Sequence, residues 1–234
     1  VYTAVTVPGQ MALGLFIAIL LSGIKRFSVT FRVINYLPVV TSWVIASLVF
    51  RYIFNTEGLL NYFLWKVLGV TSGNIRWLDT RWSGLAVAMI LGIWKGIGWN
   101  MVIFLAALQD VPRTLYEAAE IDGANALKRF FYITLPGISP AIFFQLIMGI
   151  INNFQYFTQA YLMIGSSTGG GLNVVSGGAE NSLLFYALYL YQNAFNLFKM
   201  GKASAMAWIL FVVVAVVTAV VFKTQDRWVS YGEE

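Results

Sequence analysis

Lys95 is the residue whose setting most restricts what this chain can do. It sits in the run ILGIWKGIGWNM, near the middle of an apolar stretch over residues 84–108. At 1.5 Å per helical residue it is roughly 16 Å from either end, too far for its stem to carry the charge back to water. The ammonium therefore requires a wet or polar interior. Trp99 follows on the same helical face at i+4, and Gly96 leaves backbone open beside it. In the next apolar stretch Gln145, Gly149, Asn152, Asn153 and Tyr156 recur at three- or four-residue intervals, which lines them along one side of a helix. Amides, an indole, a phenol and one ammonium suit a polyhydroxylated solute: hydroxyls take both donors and acceptors, and the apolar face of a sugar ring stacks on an aromatic plate. The same residues also suit a plainer role, bonding one helix to its neighbour at roughly 0.6 kcal/mol per bond.

Other chemistries are excluded. The sequence has no cysteine and no histidine, which removes disulfides, thiol chemistry, the usual zinc sites and histidine general bases. No GxxxxGK[ST] loop occurs, so the chain does not hydrolyse ATP by that route. Every Asp and Glu lies outside the apolar stretches, whereas an ion-coupled carrier places a carboxylate or His inside the bilayer. A secondary carrier or channel, and a membrane-embedded enzyme with a nucleophile–base pair or metal cluster, are the rival classes, and neither finds its residues here. Energy must come from a partner.

The elements that position these residues are arranged around a charged island, DVPRTLYEAAEIDGANALKRFFYITLPGISP, running from Asp110 to Pro140. It holds four of the ten acidic residues, Asp110, Glu117, Glu120 and Asp122, and three of the fifteen basic ones, Arg113, Lys128 and Arg129. The island is read as exposed to water. Asp110 is expected to cap a helix with Pro112 in its first turn. Leu115, Ala118 and Ala119 then keep helical spacing until Gly123, where a missing Cβ permits a sharp turn or close approach by another chain. Leu127, Phe130, Phe131 and Leu135 form a second stripe that Pro136 bends or ends. Two short helices with an elbow are expected. As a plain surface loop, the same segment would use its small residues only for packing.

Glu117-Ala118-Ala119, three residues, Gly123, nine residues, then Ile133-Thr134-Leu135-Pro136 resemble the EAA signature of permease subunits of binding-protein-dependent ABC importers. Asp122-Gly123-Ala124 together with Ile133 to Pro136 is similar to the sugar-importing, maltose-transporter-permease-like branch, and Trp94-Lys95-Gly96 is more weakly motif-like. The resemblance covers nearly the whole chain in span order. It implies an all-α polytopic bundle with a family core of six helices, the first absent from this sequence. It also implies that Glu117, Ala118, Ala119, Asp122 and Gly123 form a coupling helix seated in an ATPase cleft. The solute site would fall midway through the membrane on the helices flanking that loop, where Lys95, Trp99 and the 145–156 face lie. The implied partners are a second permease of different sequence, two ABC ATPase subunits carrying ATP and Mg, an extracellular solute-binding protein, and a sugar or polyol. No cofactor is expected in the chain itself. The implied location is a bacterial or archaeal cell (inner) membrane with the EAA loop and C-terminus cytoplasmic.

Composition agrees with a membrane class. Hydrophobic residues make up 59% and charged residues 11% of the 234 residues, against about 25% charged in an ordinary soluble domain. The formal charge of +5 comes from basic residues scattered through short loops, without the aromatic-lined stripe of a nucleic-acid binder, so nucleic acid is not an expected partner. Such residues set orientation and touch anionic lipid headgroups. Val1 opens on a hydrophobic run without a basic region or an initiating Met, so no cleavable signal peptide is read there and a missing upstream segment is expected.

A bilayer core takes about 20 apolar residues in a helix, and five stretches qualify: 4–24, 34–54, 84–108, 137–164 and 203–222. The first link, residues 25–32, is wholly basic in its charges and is therefore cytoplasmic. By alternation the 110–136 loop and the tail from Lys223 are cytoplasmic too. Outer loop 55–83 carries Trp65, Trp77, Trp82, Asn61 and Asn74, read either as interface-belt residues or as a docking surface for an external partner. Outer loop 165–202 has a glycine-rich strip, then a segment from Asn181 to Phe198 whose Gln192, Asn193 and Asn196 disfavour full immersion. An interfacial or re-entrant helix is expected there. With no repeat and no linker, residues 1–234 are expected to form one domain.

Overall fold

The computed structural model describes residues 1–24, 26–71, 73–164 and 177–230. Lys25 of the first basic link and most of the glycine-rich strip, at 165–176, lie outside them. Every regular element among the described residues is a helix, with α1 Tyr2–Gly23, α2 Ser28–Val40, α3 Trp43–Ile53, α4 Leu59–Tyr62, α5 Arg81–Asp110, α6 Arg113–Ile121, α7 Ala126–Arg129, α8 Leu135–Gly137, α9 Ser139–Phe154, α10 Thr158–Ile164, α11 Tyr186–Tyr191 and α12 Met200–Thr224.

The helices α1, α5 and the one beginning at α12 are each long and apolar enough to cross a membrane. They become five spans if the bent pairs α2–α3 and α7/α8–α9 each count as one. The all-helical polytopic class expected from composition is thus observed, but two of the five stretches are not continuous rods. The 34–54 stretch turns by 92° between α2 and α3. Pro38 withholds an amide from the last turn of α2, and Ser42 starts α3 by accepting from Val44 N at 3.2 Å. The 137–164 stretch bends by 64° at Ile138 and stops again at Gln155, so that α10 is a separate helix.

Small side chains let α1 lie against α5, where Ala18 and Ala88 are wholly buried. Helices α2 and α9 pack on the same pair. Two apolar clusters result. One gathers Phe50, Val87, Leu91, Tyr156, Ala160 and Met163; the other gathers Ala18, Leu21, Met101, Phe104, Leu105 and Ile138. The first takes the part of α5 before residue 92 and the second the part after residue 100, so the middle of α5 is left to other contacts.

Loop 55–83 is tied by Asn61, which is 1% exposed. Its Nδ2 donates to Thr56 O at 2.9 Å and Ile75 O at 2.7 Å, while its Oδ1 accepts from Ile75 N at 3.2 Å and Trp77 Nε1 at 3.0 Å. Asn61 and Trp77 are therefore internal fasteners, whereas Trp65 and Trp82 stand exposed. Asn61→Ala strands several backbone groups at once and is expected to cost about 2 kcal/mol, read as a lowered thermal unfolding midpoint of the solubilised protein.

Within the 181–198 segment a helix is observed from Tyr186 to Asn196, α11 running without a break into a wider, π-type turn at Gln192–Asn196. Gln192 and Asn193 are buried, and Asn193 Nδ2 donates to Tyr189 O at 2.8 Å. Two of the amides that argued for a watery surface are thus inside the protein, and the Asn193 nitrogen is spent on the backbone of its own helix.

Candidate functional site

Between the two apolar clusters, α1, α2, α3, α5, α9 and α10 line a partly open cavity of about 380 Å3, within the usual range of small-molecule pockets. Lys95, Trp99, Gln145, Gly149, Asn152, Asn153 and Tyr156 all line it. Tyr156 does so from the link beyond α9, which ends at Phe154, not from the helix face expected for it. The sequence reading missed Tyr2, Gln10, Trp43, Asn100, Gln155 and Gln159, which complete the wall. Gln10 and Asn100 are buried amides in apolar helices, but neither has the three- or four-residue recurrence that drew attention to Gln145.

Trp99 Nε1 donates to Gln145 Oε1 at 3.2 Å, which fixes both side chains across the gap between α5 and α9. The remaining amide nitrogen of Gln145, and Oδ1 of Asn100, have no hydrogen-bond partner although buried. A buried polar group left unpaired costs about 1–3 kcal/mol, so these are standing invitations to a hydroxyl donor or acceptor. Asn153 Nδ2 is used by Gly149 O at 2.8 Å. Tyr2 and Tyr156 lie 4.5 Å apart between ring centroids, tilted by 47°, with Phe185 at 4.6 Å from Tyr156, an aromatic cluster at one end of the cavity. Lys95 Nζ donates to backbone carbonyls of Pro38 and Val39, at 2.7 and 3.2 Å, and of Thr41. Among the described residues no Asp, Glu or Arg lines the cavity. The arrangement can hold a neutral hydroxylated molecule by hydrogen bonding and stacking. It has no nucleophile–base pair, and no group of acids able to hold a metal occurs among the described residues.

Truncating the bridge tests how the wall is held. Gln145→Ala removes the acceptor of Trp99, and a loss of about 1 kcal/mol in solute affinity is expected, measured by titration of the solubilised complex with labelled solute.

The 110–136 segment forms the expected pair of short helices with an elbow, though its entry differs. Asp110 closes α5, and Pro112 is the residue before α6, not within its first turn; the extended Val111 (ψ 122°) separates the two helices. Glu117, Ala118 and Ala119 lie on α6, which has no buried residue, and Asp122 ends it. Gly123 has φ +72°, a left-handed conformation that glycine takes without steric cost. Asn125 then caps α7 through Lys128 N at 2.9 Å. The elbow is braced by Tyr116 Oη and Thr134 Oγ1 at 2.9 Å and by Arg129 and Glu120 at 3.5 Å. Leu115, Ile121, Leu127, Phe131 and Tyr132 nevertheless stand exposed. A stiff elbow with bare apolar side chains among charges is suited to another protein.

Comparison with known proteins assigns this architecture. The profile of the binding-protein-dependent transport system inner membrane component matches residues 10–231. The chain is 40% identical over 231 residues to the probable ABC transporter permease protein YesP of Bacillus subtilis (strain 168), covering 98% of this chain and 71% of that protein. It is 33% identical over 230 residues to the arabinooligosaccharides transport system permease protein AraP of the same organism, covering 97% and 68%. Its fold is similar to that of a chain in the crystal structure of a bacterial alginate ABC transporter in complex with alginate pentasaccharide-bound periplasmic protein, with a TM-score of 0.84 at 19% identity over 99% of this chain and 77% of that one. The chain therefore belongs to the binding-protein-dependent transport system inner membrane component family, as a multi-pass, non-catalytic ABC permease subunit.

Proposed function

We propose that this permease carries a sugar, oligosaccharide or related polyol across the cell membrane, delivered by an extracellular binding protein and driven by ATP hydrolysed on separate subunits. The observation that carries the reading is the cavity: neutral amides with unpaired atoms and aromatic rings midway along α5, without an acid on its lining. The arabinooligosaccharide permease among its relatives supports the same solute class. Residues 1–234 act as one permease domain.

The elbow of α6 and α7 is read as the coupling element, cytoplasmic together with the C-terminus, with Glu117, Ala118, Ala119, Asp122 and Gly123 meeting one of two ABC ATPases that bind ATP and Mg. A second permease of different sequence would close the open side of the cavity, where Trp99 is 45% exposed. One exposed elbow buries only part of the ~800 Å2 per side of a stable interface, so two elbows on two ATPases are needed to hold the assembly by raising effective concentration.

The direct test is uptake of labelled oligosaccharides into proteoliposomes holding the assembled complex. Uptake that requires ATP inside and binding protein outside is expected. Uptake driven by a proton or sodium gradient without any ATPase would sink the reading. Native mass spectrometry should show a second permease in every transport-competent particle; a particle with one copy of this chain and one ATPase that still transports would refute the stoichiometry.

A further inference from the structure

The break between α2 and α3 leaves carbonyls without amides at the depth of the cavity. The last carbonyls of any α-helix lack an intrahelical donor, and in a bilayer there is no water to replace it. Thr41 N returns to Leu37 O, which leaves the carbonyls beyond it to find partners elsewhere. One side chain collects them. Lys95 is 5% exposed, and its Nζ donates to Pro38 O at 2.7 Å, to Val39 O at 3.2 Å and to Thr41 O. Three carbonyls take up the three donors of an ammonium. The ring of Trp43, the first residue of α3, has its centroid 4.6 Å from the same nitrogen. The charge is met by the negative end of the α2 dipole and by the indole face.

A nest of carbonyls at the end of a broken helix is the kind of site that takes a bare monovalent cation in other membrane proteins. Here the cation is covalently attached to α5. A related arrangement holds the end of α10, where Arg51 Nη1 donates to Leu162 O at 3.2 Å. We propose that Lys95 is a positioning residue, a tethered monovalent cation that sets the turn between α2 and α3 and so holds the Val39–Trp43 wall of the cavity, without gripping the solute. Its hydrogen-bonding capacity is already committed to the backbone, so the solute's hydroxyls are left to Gln145, Asn100 and the other amides. The consequence for transport rests on the permease reading given above.

Chemical rescue tests it. Lys95→Ala in the complete reconstituted complex leaves a hole shaped for a short alkylammonium ion. Uptake is expected to fall at least about tenfold, as for a displaced wall. Millimolar n-propylammonium should restore much of it, while equal n-propanol or tetramethylammonium should not. Amide hydrogen exchange over residues 39–45, which does not depend on transport, is expected to rise at least about tenfold in the variant and to fall again with n-propylammonium. Wild-type uptake in Lys95→Ala, unchanged exchange, or loss of uptake with no response to n-propylammonium in either measurement overturns the proposal. Should Lys95→Ala fail to assemble, Lys95→Arg and Lys95→Met decide: assembly and uptake retained by Arg and lost by Met support it, and equal behaviour of the two overturns it. If the wild-type complex takes up no oligosaccharide, the permease reading fails on its own, because the exchange measurement still judges Lys95.

Discussion

Gly123→Arg is expected to leave the bundle folded and inserted while reducing ATP-driven uptake by well over tenfold, which requires only somewhat more than about 1.4 kcal/mol of lost coupling. The two effects separate because of where Gly123 stands. Nothing lies within 4 Å of the position a Cβ would occupy there, so a side chain can leave the backbone at this point without displacing the rest of the bundle. Its φ of +72° makes any L-residue cost about 1–2 kcal/mol, tolerable for a turn that carries no core. What the guanidinium does meet is whatever seats itself against α6 and α7. Gly123→Ala, with the same backbone strain and little bulk, should retain most uptake. Glu117→Lys, which reverses a charge on the exposed α6 helix, should resemble Gly123→Arg. The measurements are uptake and solute-stimulated ATPase activity in the reconstituted complex; wild-type values of both in Gly123→Arg and Glu117→Lys would remove the coupling role of the elbow.

Gly98→Ala is expected to act through the opposite cause. A Cβ on Gly98 would stand 2.3 Å from Asn35 O and 2.8 Å from Val39 Cγ2, and a backbone carbonyl inside a helix has no rotamer by which to withdraw. Helix α2 must move off α5, at about 1–3 kcal/mol for overpacking. That movement also draws the Pro38 and Val39 carbonyls away from Lys95. Both stability and transport should therefore fall, seen as a lowered unfolding midpoint together with reduced uptake, and Gly98→Val should be worse in both. An unchanged midpoint in Gly98→Ala would show that α2 and α5 are not held at this separation in the folded protein.

How much of this was legible beforehand follows the kind of physics involved. Helices α1, α5 and α12 announce themselves as long apolar runs, because each is a single element whose pattern is local. The elbow was legible for the same reason: charge, alanine spacing and Gly123 are neighbours in sequence. The breaks in the second and fourth stretches were not, since averaged hydropathy does not register a change of direction. Pro38 lies inside α2 and the break falls after it, at the point where Lys95 reaches across from another helix. Lys95 was recognisable as a charge needing a polar setting, but that the setting would be three backbone carbonyls depended on how α2 packs. Gln10 and Asn100 were passed over because neither belongs to a set of amides at helical spacing, and only packing brings them to the cavity that Gln145 lines. Asn61 was read as a surface residue because nothing local to it foretells Ile75 and Trp77.

Helix α12 buries only Ala203 and Met206 yet is fastened near both ends. Tyr186 Oη donates to Met206 O at 3.0 Å, and beyond its far end Trp228 lies against Phe143 at 5.9 Å while Ser230 N donates to Ser139 Oγ at 2.8 Å. Translated into folding kinetics, this describes a latecomer. The contacts among α1, α5 and α9 that shape the cavity involve no residue of α12, so a chain emerging N-terminus first can complete them before α12 has been synthesised. Its later docking then closes over the bend at Ile138, and unfolding should begin by the same route reversed, with the amides at residues 225–230 the first to exchange and those in the middle of α5 the last.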